Sequence, residues 1–105
     1  MTYRIFRTDT ADAQISRIVL YVAQHFGRRT ALEKLNEIEH SILKLADHPH
    51  LGVVPRYSVL RRQGYRVLVL KKNFVFYKVD EGTETVMIHA VVDQRQDYLN
   101  IVRGL

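Results

Sequence analysis

The second half of the chain alternates hydrophobic runs with short polar gaps. Residues 65–70, 74–79 and 85–92 are rich in Val, Ile, Phe, Tyr and Thr, which suit a pleated, half-buried surface. The gaps Lys71-Lys72-Asn73 and Asp80-Glu81-Gly82 supply residues that are common in turns. The pattern predicts a three-stranded antiparallel meander.

Both faces of this predicted sheet carry hydrophobic side chains. In the first run, for example, Val67 and Val69 alternate with Leu68 and Leu70. An antiparallel sheet with one face in water normally alternates between apolar and polar residues. We therefore expect a cover on each face.

The first half of the chain predicts a strand followed by a helix. Residues 3–7 alternate like a strand, Asp9 is a candidate N-cap, and Gly27 is a candidate helix terminator. The hydrophobic residues between them recur at helical spacing. They are Ile15, Ile18, Val19, Val22 and Phe26.

A second helix is predicted to begin at the capping-box pattern Thr30 to Glu33 and to stop before His48-Pro49. Its apolar face contains Leu35, Ile38, Ile42 and Leu45. Since only a short turn separates the two helices, they should form an antiparallel hairpin that covers one sheet face. The other face is then left open for a second molecule.

Three segments remain. Residues 48–56 contain two prolines and a glycine and predict a loop. Residues 57–62 can form a short extended piece, and 94–102 a final short helix with Asp93 as its cap. The predicted fold class is α+β: an N-terminal strand, a helix hairpin on one face of a small, mainly antiparallel sheet (β-α-α-β-β-β), and a short C-terminal helix. The position of the first strand in the sheet is open.

Composition bounds the class of protein. The 105 residues, 47% hydrophobic and 26% charged, suit one globular domain spanning 1–105. There is no cysteine, no signal-peptide pattern and no run long enough to cross a bilayer. We expect a cytoplasmic protein with no membrane association, cofactor or metal; His48 and His50 lack an evident third ligand.

The positive charge is concentrated in one segment. Residues 1–55 hold seven Lys/Arg and six Asp/Glu, whereas 56–72 hold six Lys/Arg and no acid. Such a cluster favours an anionic partner, although charges that protect a sheet edge from aggregation are an alternative explanation. The basic residues are Arg56, Arg61, Arg62, Arg66, Lys71 and Lys72.

No enzyme motif is present: the chain has no glycine-rich phosphate loop, no Gly-x-Ser-x-Gly and no His-Glu-x-x-His. Four strings in order along the chain nevertheless resemble the RelE/ParE superfamily of bacterial toxins from type II toxin–antitoxin modules. They are LADHPHLG (45–52), GYR (64–66), FVFYKV (74–79) and IHAVVDQRQD (88–97).

The resemblance is closest to the ParE-like branch. There an arginine begins the second strand, as Arg66 does here, an aromatic-Tyr pair lies in the third, as Phe76-Tyr77 does, and Arg-x-Asp follows the fourth, as in 95–97. The resemblance implies growth inhibition, a role in plasmid stabilisation, and neutralisation by a cognate antitoxin in a hetero-oligomer. That antitoxin is expected to be small and partly acidic, to have a DNA-binding N-terminal domain, and to cover the open sheet face.

Two targets stay open. ParE-like relatives inhibit DNA gyrase and need only a binding surface, whereas RelE-like relatives cut mRNA on the ribosome. For RNA cleavage the candidates are Arg66, His89, Arg95 and Tyr98, with Lys71 or Lys72 steadying phosphate. Phe74 and Val75 stand where RelE-like toxins usually have an arginine, and Asp93 where many have His, which favours gyrase. The candidate residues for binding the antitoxin or target are Arg56, Arg61, Arg62, Arg66, Leu68, Leu70, Lys71, Lys72, Tyr77, Met87 and Arg95.

Overall fold

The computed structural model describes residues 2–105; Met1, which the predicted domain includes, lies outside the described residues. The strands are β1 (Arg4–Arg7), β2 (Arg66–Val69), β3 (Asn73–Asp80) and β4 (Thr85–Asp93). The helices are α1 (Asp9–Phe26), α2 (Arg28–Leu43), α3 (Ser58–Arg62) and α4 (Tyr98–Arg103), with a 3₁₀ turn (Lys44–Ala46) directly after α2. The predicted α+β class is confirmed.

The four strands form one mixed sheet in the order β1-β4-β3-β2. The predicted meander is confirmed, since β2 pairs antiparallel with β3 and β3 antiparallel with β4. β1 lies parallel to β4, with Phe6 opposite Met87. The first strand therefore lies at the edge of the sheet next to β4, a position that the sequence pattern left open.

The ends of α1 and α2 differ from the prediction. Thr8, not Asp9, is the N-cap of α1, and its hydroxyl accepts a hydrogen bond from the amide of Ala11 at 3.1 Å. Gly27 has a positive φ of +91°, in the left-handed region. It terminates α1 and is the N-cap residue of α2. Because one residue makes the turn, Thr30 falls inside the first turn of α2, and the predicted capping box is wrong.

The helix hairpin packs on one face of the sheet, as predicted. A continuous hydrophobic core fills the space between them, and its central residues are fully or almost fully buried. This hairpin core contains Ala11, Ile15, Ile38, Ile42, Leu45, Leu68, Val75, Tyr77, Val86, Ile88 and Val91.

The expectation that the opposite sheet face is open is wrong for strands β2 to β4. There α3 and α4 cover the sheet, with Leu60 and Val102 fully buried beneath them. Residues 58–62 form a helix, so the predicted extended piece at 57–62 is wrong. The predicted cap of the C-terminal helix is also wrong, because Asp93 is the last residue of β4 and the helix begins after Asp97. This second core, the outer core, contains Leu60, Tyr65, Val67, Phe76, Ala90, Val92 and Val102.

A register shift in β4 changes which of its side chains face the hairpin core and which face the outer core. Phe76 lies opposite Ala90 and Tyr77 opposite Ile88, so His89 is an extra residue in β4. Such a bulge breaks the alternation of side chains. Ile88 consequently faces the hairpin core, whereas Ala90 faces the outer core.

No helix among residues 2–105 combines the length and the hydropathy that a bilayer crossing requires.

Candidate functional site

Arg66 holds the connector between α2 and α3 in place. Its Nη2 donates to the carbonyl oxygens of His50 and Gly52 at 3.0 and 2.6 Å. Arg66 lies opposite Tyr77 in the β2–β3 register, so the two side chains share the hairpin face of the sheet. The guanidinium is therefore used in a structural contact.

Three of the four predicted hydrophobic contact residues lie in or against the hairpin core. Leu68 and Tyr77 are buried members of this core, and Leu70 packs against it. Met87 is 36% exposed and Leu70 is only partly buried, so these two side chains offer surface to a partner. Leu68 and Tyr77 lie in the core beneath the surface.

The basic residues of segment 56–72 fall into two groups. Some bond to backbone carbonyl oxygens, and the others, called the free cations below, do not. Nη1 of Arg61 donates to the carbonyl oxygens of Pro55 and Arg56 at 3.0 and 2.7 Å, and so closes the loop before α3. The Arg56 guanidinium lies 5.7 Å from the ring centroid of Tyr57. The other four cations of residues 56–72 are exposed and take part in no ion pair within residues 2–105. They are Arg56, Arg62, Lys71 and Lys72.

Arg66 and Tyr98, two of the four candidates for RNA cleavage, are not brought together. Tyr98 packs against the outer core, where its ring centroid lies 5.1 Å from Phe74 and 5.5 Å from Phe76, and burial raises its pKa. Arg66 is on the opposite face of the sheet. In RNA cleavage, the cation that holds the phosphate and the group that transfers the proton must both reach the same phosphate. Here the sheet separates Arg66 from Tyr98.

His89 is partly buried beside an aromatic ring and a cation. Its ring stands edge-on to Tyr65, with centroids 5.4 Å apart. Burial, and to a lesser extent the positive charge of Lys78, lowers the pKa of His89. The neutral imidazole is favoured in this environment.

Asp93 and Arg95 form a bidentate pair at the end of β4. Nε and Nη2 of Arg95 donate to Oδ1 and Oδ2 of Asp93 at 3.0 and 3.1 Å, and the Arg95 amide also donates to Oδ1 at 2.8 Å. The Arg95 side chain, followed by this amide, lowers the pKa of Asp93. The ionised carboxylate of Asp93 is therefore favoured.

The histidines of the connector do not form a metal site. His50 Nε2 lies 2.7 Å from a carboxylate oxygen of Glu81. No group of three or more His, Cys, Asp or Glu side chains with metal-binding geometry occurs in the part of the chain that the structure describes, residues 2–105.

The structure reveals a further surface that the sequence analysis missed. It lies on the outer sheet face beyond α3 and α4, where the Arg4 guanidinium is 5.7 Å from the Phe6 ring centroid and Lys78 Nζ is 4.5 Å from that of Tyr65. Phe6 is 45% exposed and lies beside Met87. Only the pairing of β1 with β4 brings these residues together, so no local pattern could have indicated the surface.

Comparisons with solved structures identify the class of fold. The chain superposes on a structure described as the chromosomal ParDE TA system from P. aeruginosa with a TM-score of 0.73 and 18% identity, covering 88% of this chain and 96% of that chain. The toxin-antitoxin complex RelBE2 from Mycobacterium tuberculosis gives 0.66 and 17%, covering 90% and 100%. A mutant of the E. coli toxin RelE in the free state gives 0.67 and 9%, covering 99% and 96%. The chain thus shares its fold with these three solved chains.

A family model decides the membership. The model described as the ParE toxin of type II toxin-antitoxin system, parDE, matches residues 5–98. None of the curated proteins matches the sequence significantly. The chain belongs to the ParE toxin family, as the motifs of strands β2 to β4 indicated.

Proposed function

We propose that this ParE-family toxin acts by binding and inhibiting DNA gyrase, and that a cognate antitoxin neutralises it. The observation that carries the proposal is the separation of Arg66 from Tyr98 by the sheet. An inhibitor that works by occupancy needs a complementary surface but no group that transfers a proton.

The charge at the end of β4 supports a binding role. The carboxylate of Asp93 is held ionised by Arg95. RNA cleavage needs an electropositive environment around the reacting phosphate, and an ionised Asp93 opposes it.

The proposed antitoxin is a small, partly acidic protein with a DNA-binding N-terminal domain. The solved relatives described as ParDE and RelBE2 are toxin–antitoxin systems, which supports a hetero-oligomer. Its acidic segment would pair with the four free cations Arg56, Arg62, Lys71 and Lys72, which take part in no ion pair within residues 2–105. We propose a cytoplasmic location, because gyrase and a DNA-binding antitoxin both act on DNA inside the cell.

Two assays on the purified chain test the target. We expect inhibition of gyrase supercoiling of relaxed plasmid and intact mRNA in a translating ribosome extract. Normal supercoiling together with mRNA cut only on ribosomes would overturn the gyrase proposal and support the RelE-like endoribonuclease alternative.

A matched pair of charge reversals tests the antitoxin surface. Arg56→Glu with Arg62→Glu should weaken binding to the product of the adjacent reading frame, and more so at low salt, because exposed charges are screened by ions. Arg17→Glu with Arg28→Glu reverses two exposed charges on the helix hairpin and is the control. Equal weakening by both pairs would show that only net charge matters.

A further inference from the structure

One row of side chains crosses the outer face of the sheet beyond α3 and α4. The pairing of the strands places Phe6 beside Met87 and Met87 beside Lys78. Tyr65, the residue before β2, comes next, and the Lys78 Nζ lies 4.5 Å from the centroid of its ring. These four residues are called the outer row below.

The two helices on the outer face are too short to cover the whole length of the strands. α3 and α4 contain five and six residues, so each is at most roughly 9 Å long. β3 contains eight residues and extends over about 26 Å. Phe6 and Met87 lie beyond the two helices and remain 45% and 36% exposed.

Two cations flank this exposed hydrophobic pair. The Arg4 guanidinium lies 5.7 Å from the centroid of the Phe6 ring, and Lys78 lies opposite Met87. Neither cation takes part in an ion pair within residues 2–105. Asp80, the acidic residue of β3, instead accepts a hydrogen bond from a backbone amide of the β3–β4 turn at 3.1 Å. The surface is thus an apolar centre with unpaired positive charge at both ends.

The composition of this surface fits a protein partner. Phe, Met and Arg are enriched in protein interfaces, where a polar rim surrounds an apolar centre. A nucleic acid would require cations that follow the phosphate backbone, whereas two exposed apolar side chains separate Arg4 from Lys78. A second copy of the chain would bring the same cations face to face, and like charges oppose such pairing. The complementary partner therefore carries an apolar side chain next to a carboxylate.

We propose that the outer row, together with Arg4, is the surface through which this toxin binds DNA gyrase. An apolar side chain of gyrase packs on Phe6 and Met87, and carboxylates of gyrase pair with Arg4 and Lys78. The inference rests on the proposed function, because it takes the target to be gyrase. It adds the contact surface, and it assigns the target to residues other than the free cations proposed for the antitoxin.

Protection of Met87 from oxidation tests the contact in the natural chain. Peroxide converts an exposed methionine to its sulfoxide, and saturating gyrase should slow this reaction at Met87 roughly tenfold or more, because the contact buries the side chain. Peptide mass spectrometry follows Met87 separately from every methionine of gyrase. An unchanged rate, at concentrations at which the chain inhibits supercoiling, overturns the surface but not the target. No inhibition of supercoiling by the natural chain overturns both.

The same measurement distinguishes other occupants of the outer row. Protection of Met87 by the product of the adjacent reading frame, without protection by gyrase, would overturn the inference and assign the row to the antitoxin. Protection that rises with the concentration of the chain alone would overturn it in favour of self-association.

A matched pair of variants isolates the hydrophobic contact. Phe6→Ala and Leu20→Ala each remove an exposed apolar side chain, at 45% and 57% exposure, but Leu20 lies on α1, outside the outer row. We expect Phe6→Ala to raise the concentration of chain that halves supercoiling about tenfold, as for an aromatic anchor. Leu20→Ala should leave this concentration unchanged. Equal inhibition by the two folded variants would contradict the contact.

A pair of charge reversals tests the two cations. Arg4→Glu with Lys78→Glu should weaken the inhibition of gyrase, and more so at low salt, because exposed charges are screened by ions. Arg17→Glu with Arg28→Glu changes the net charge equally on the helix hairpin and should inhibit like the natural chain. Equal inhibition by both pairs would overturn the role of Arg4 and Lys78. Should a variant not fold, the oxidation of Met87 in the natural chain still decides.

Discussion

The phenol oxygen of Tyr77 accepts a hydrogen bond from the amide of Gly52 at 2.8 Å. The same hydroxyl donates to the carbonyl oxygen of Pro49 at 2.8 Å. Together with Arg66, which binds the carbonyls of His50 and Gly52, Tyr77 fixes the connector against the end of β2. This contact aligns Val53 with Val67 and closes that edge of the sheet.

Loss of the Tyr77 hydroxyl should destabilise the protein. Tyr77→Phe leaves the Gly52 amide and the Pro49 carbonyl without this partner, and we expect a loss of about 1–3 kcal/mol in the free energy of unfolding. Urea denaturation measures it. Tyr21→Phe, at an exposed position on α1, is the control and should change stability by less than about 0.5 kcal/mol.

Gly52 should tolerate no side chain. A Cβ at this position would lie 2.6 Å from the Tyr77 hydroxyl and 2.7 Å from the backbone oxygen of Val67. The connector must therefore shift, and we expect Gly52→Ala to lower the melting temperature and the protection of the Val53 amide from exchange. In Gly104→Ala the nearest atom is 3.7 Å away, so that variant should melt like the natural chain.

The cover provided by α3 depends on Leu60. This side chain is fully buried in the outer core, and Leu60→Ala should cost about 2–5 kcal/mol in the free energy of unfolding. Leu20→Ala removes the same atoms at a position on α1 that is 57% exposed and should have little effect. Equal, small losses in both variants would mean that the outer face is open after all.

His89 should make stability depend on pH. Its pKa in the folded chain lies below the ordinary histidine value of 6.5, chiefly because of burial. The unfolded chain then binds the proton more tightly, so stability falls as pH drops from about 6.5 toward the lowered pKa. His89→Gln should remove this part of the slope between pH 7.5 and 5 in urea titrations. Lys78→Met should reduce it only in part, because the Lys78 charge is the smaller cause.

The long elements were predictable because their periodicity is strong. The hairpin helices, the meander and the motifs around Arg66 and Phe76-Tyr77 all follow from patterns within one segment. The cover on the outer face was missed for two reasons. Helix α3 spans only Ser58–Arg62, too short for a helical period to be recognised. The C-terminal helix was predicted, but no local pattern indicated that it packs on the outer face.

The site was predicted less well because it depends on pairing between distant segments. Arg66 was identified as important, but whether it binds a ligand or the connector is decided by carbonyls 14 and 16 residues earlier in the chain. Likewise, Phe6 and Met87 are neighbours only because β1 pairs with β4. The bulge at His89 also exchanges the faces of Ala90 and Val91, which strict alternation could not anticipate.

The most direct test of this account is the count of viable bacteria after induction of the chain, alone and together with the product of the adjacent reading frame. A neutralised toxin predicts a fall in colony-forming units with the chain alone and full recovery with its partner. Normal growth with the chain alone, at an expression level confirmed on a gel, would contradict the account.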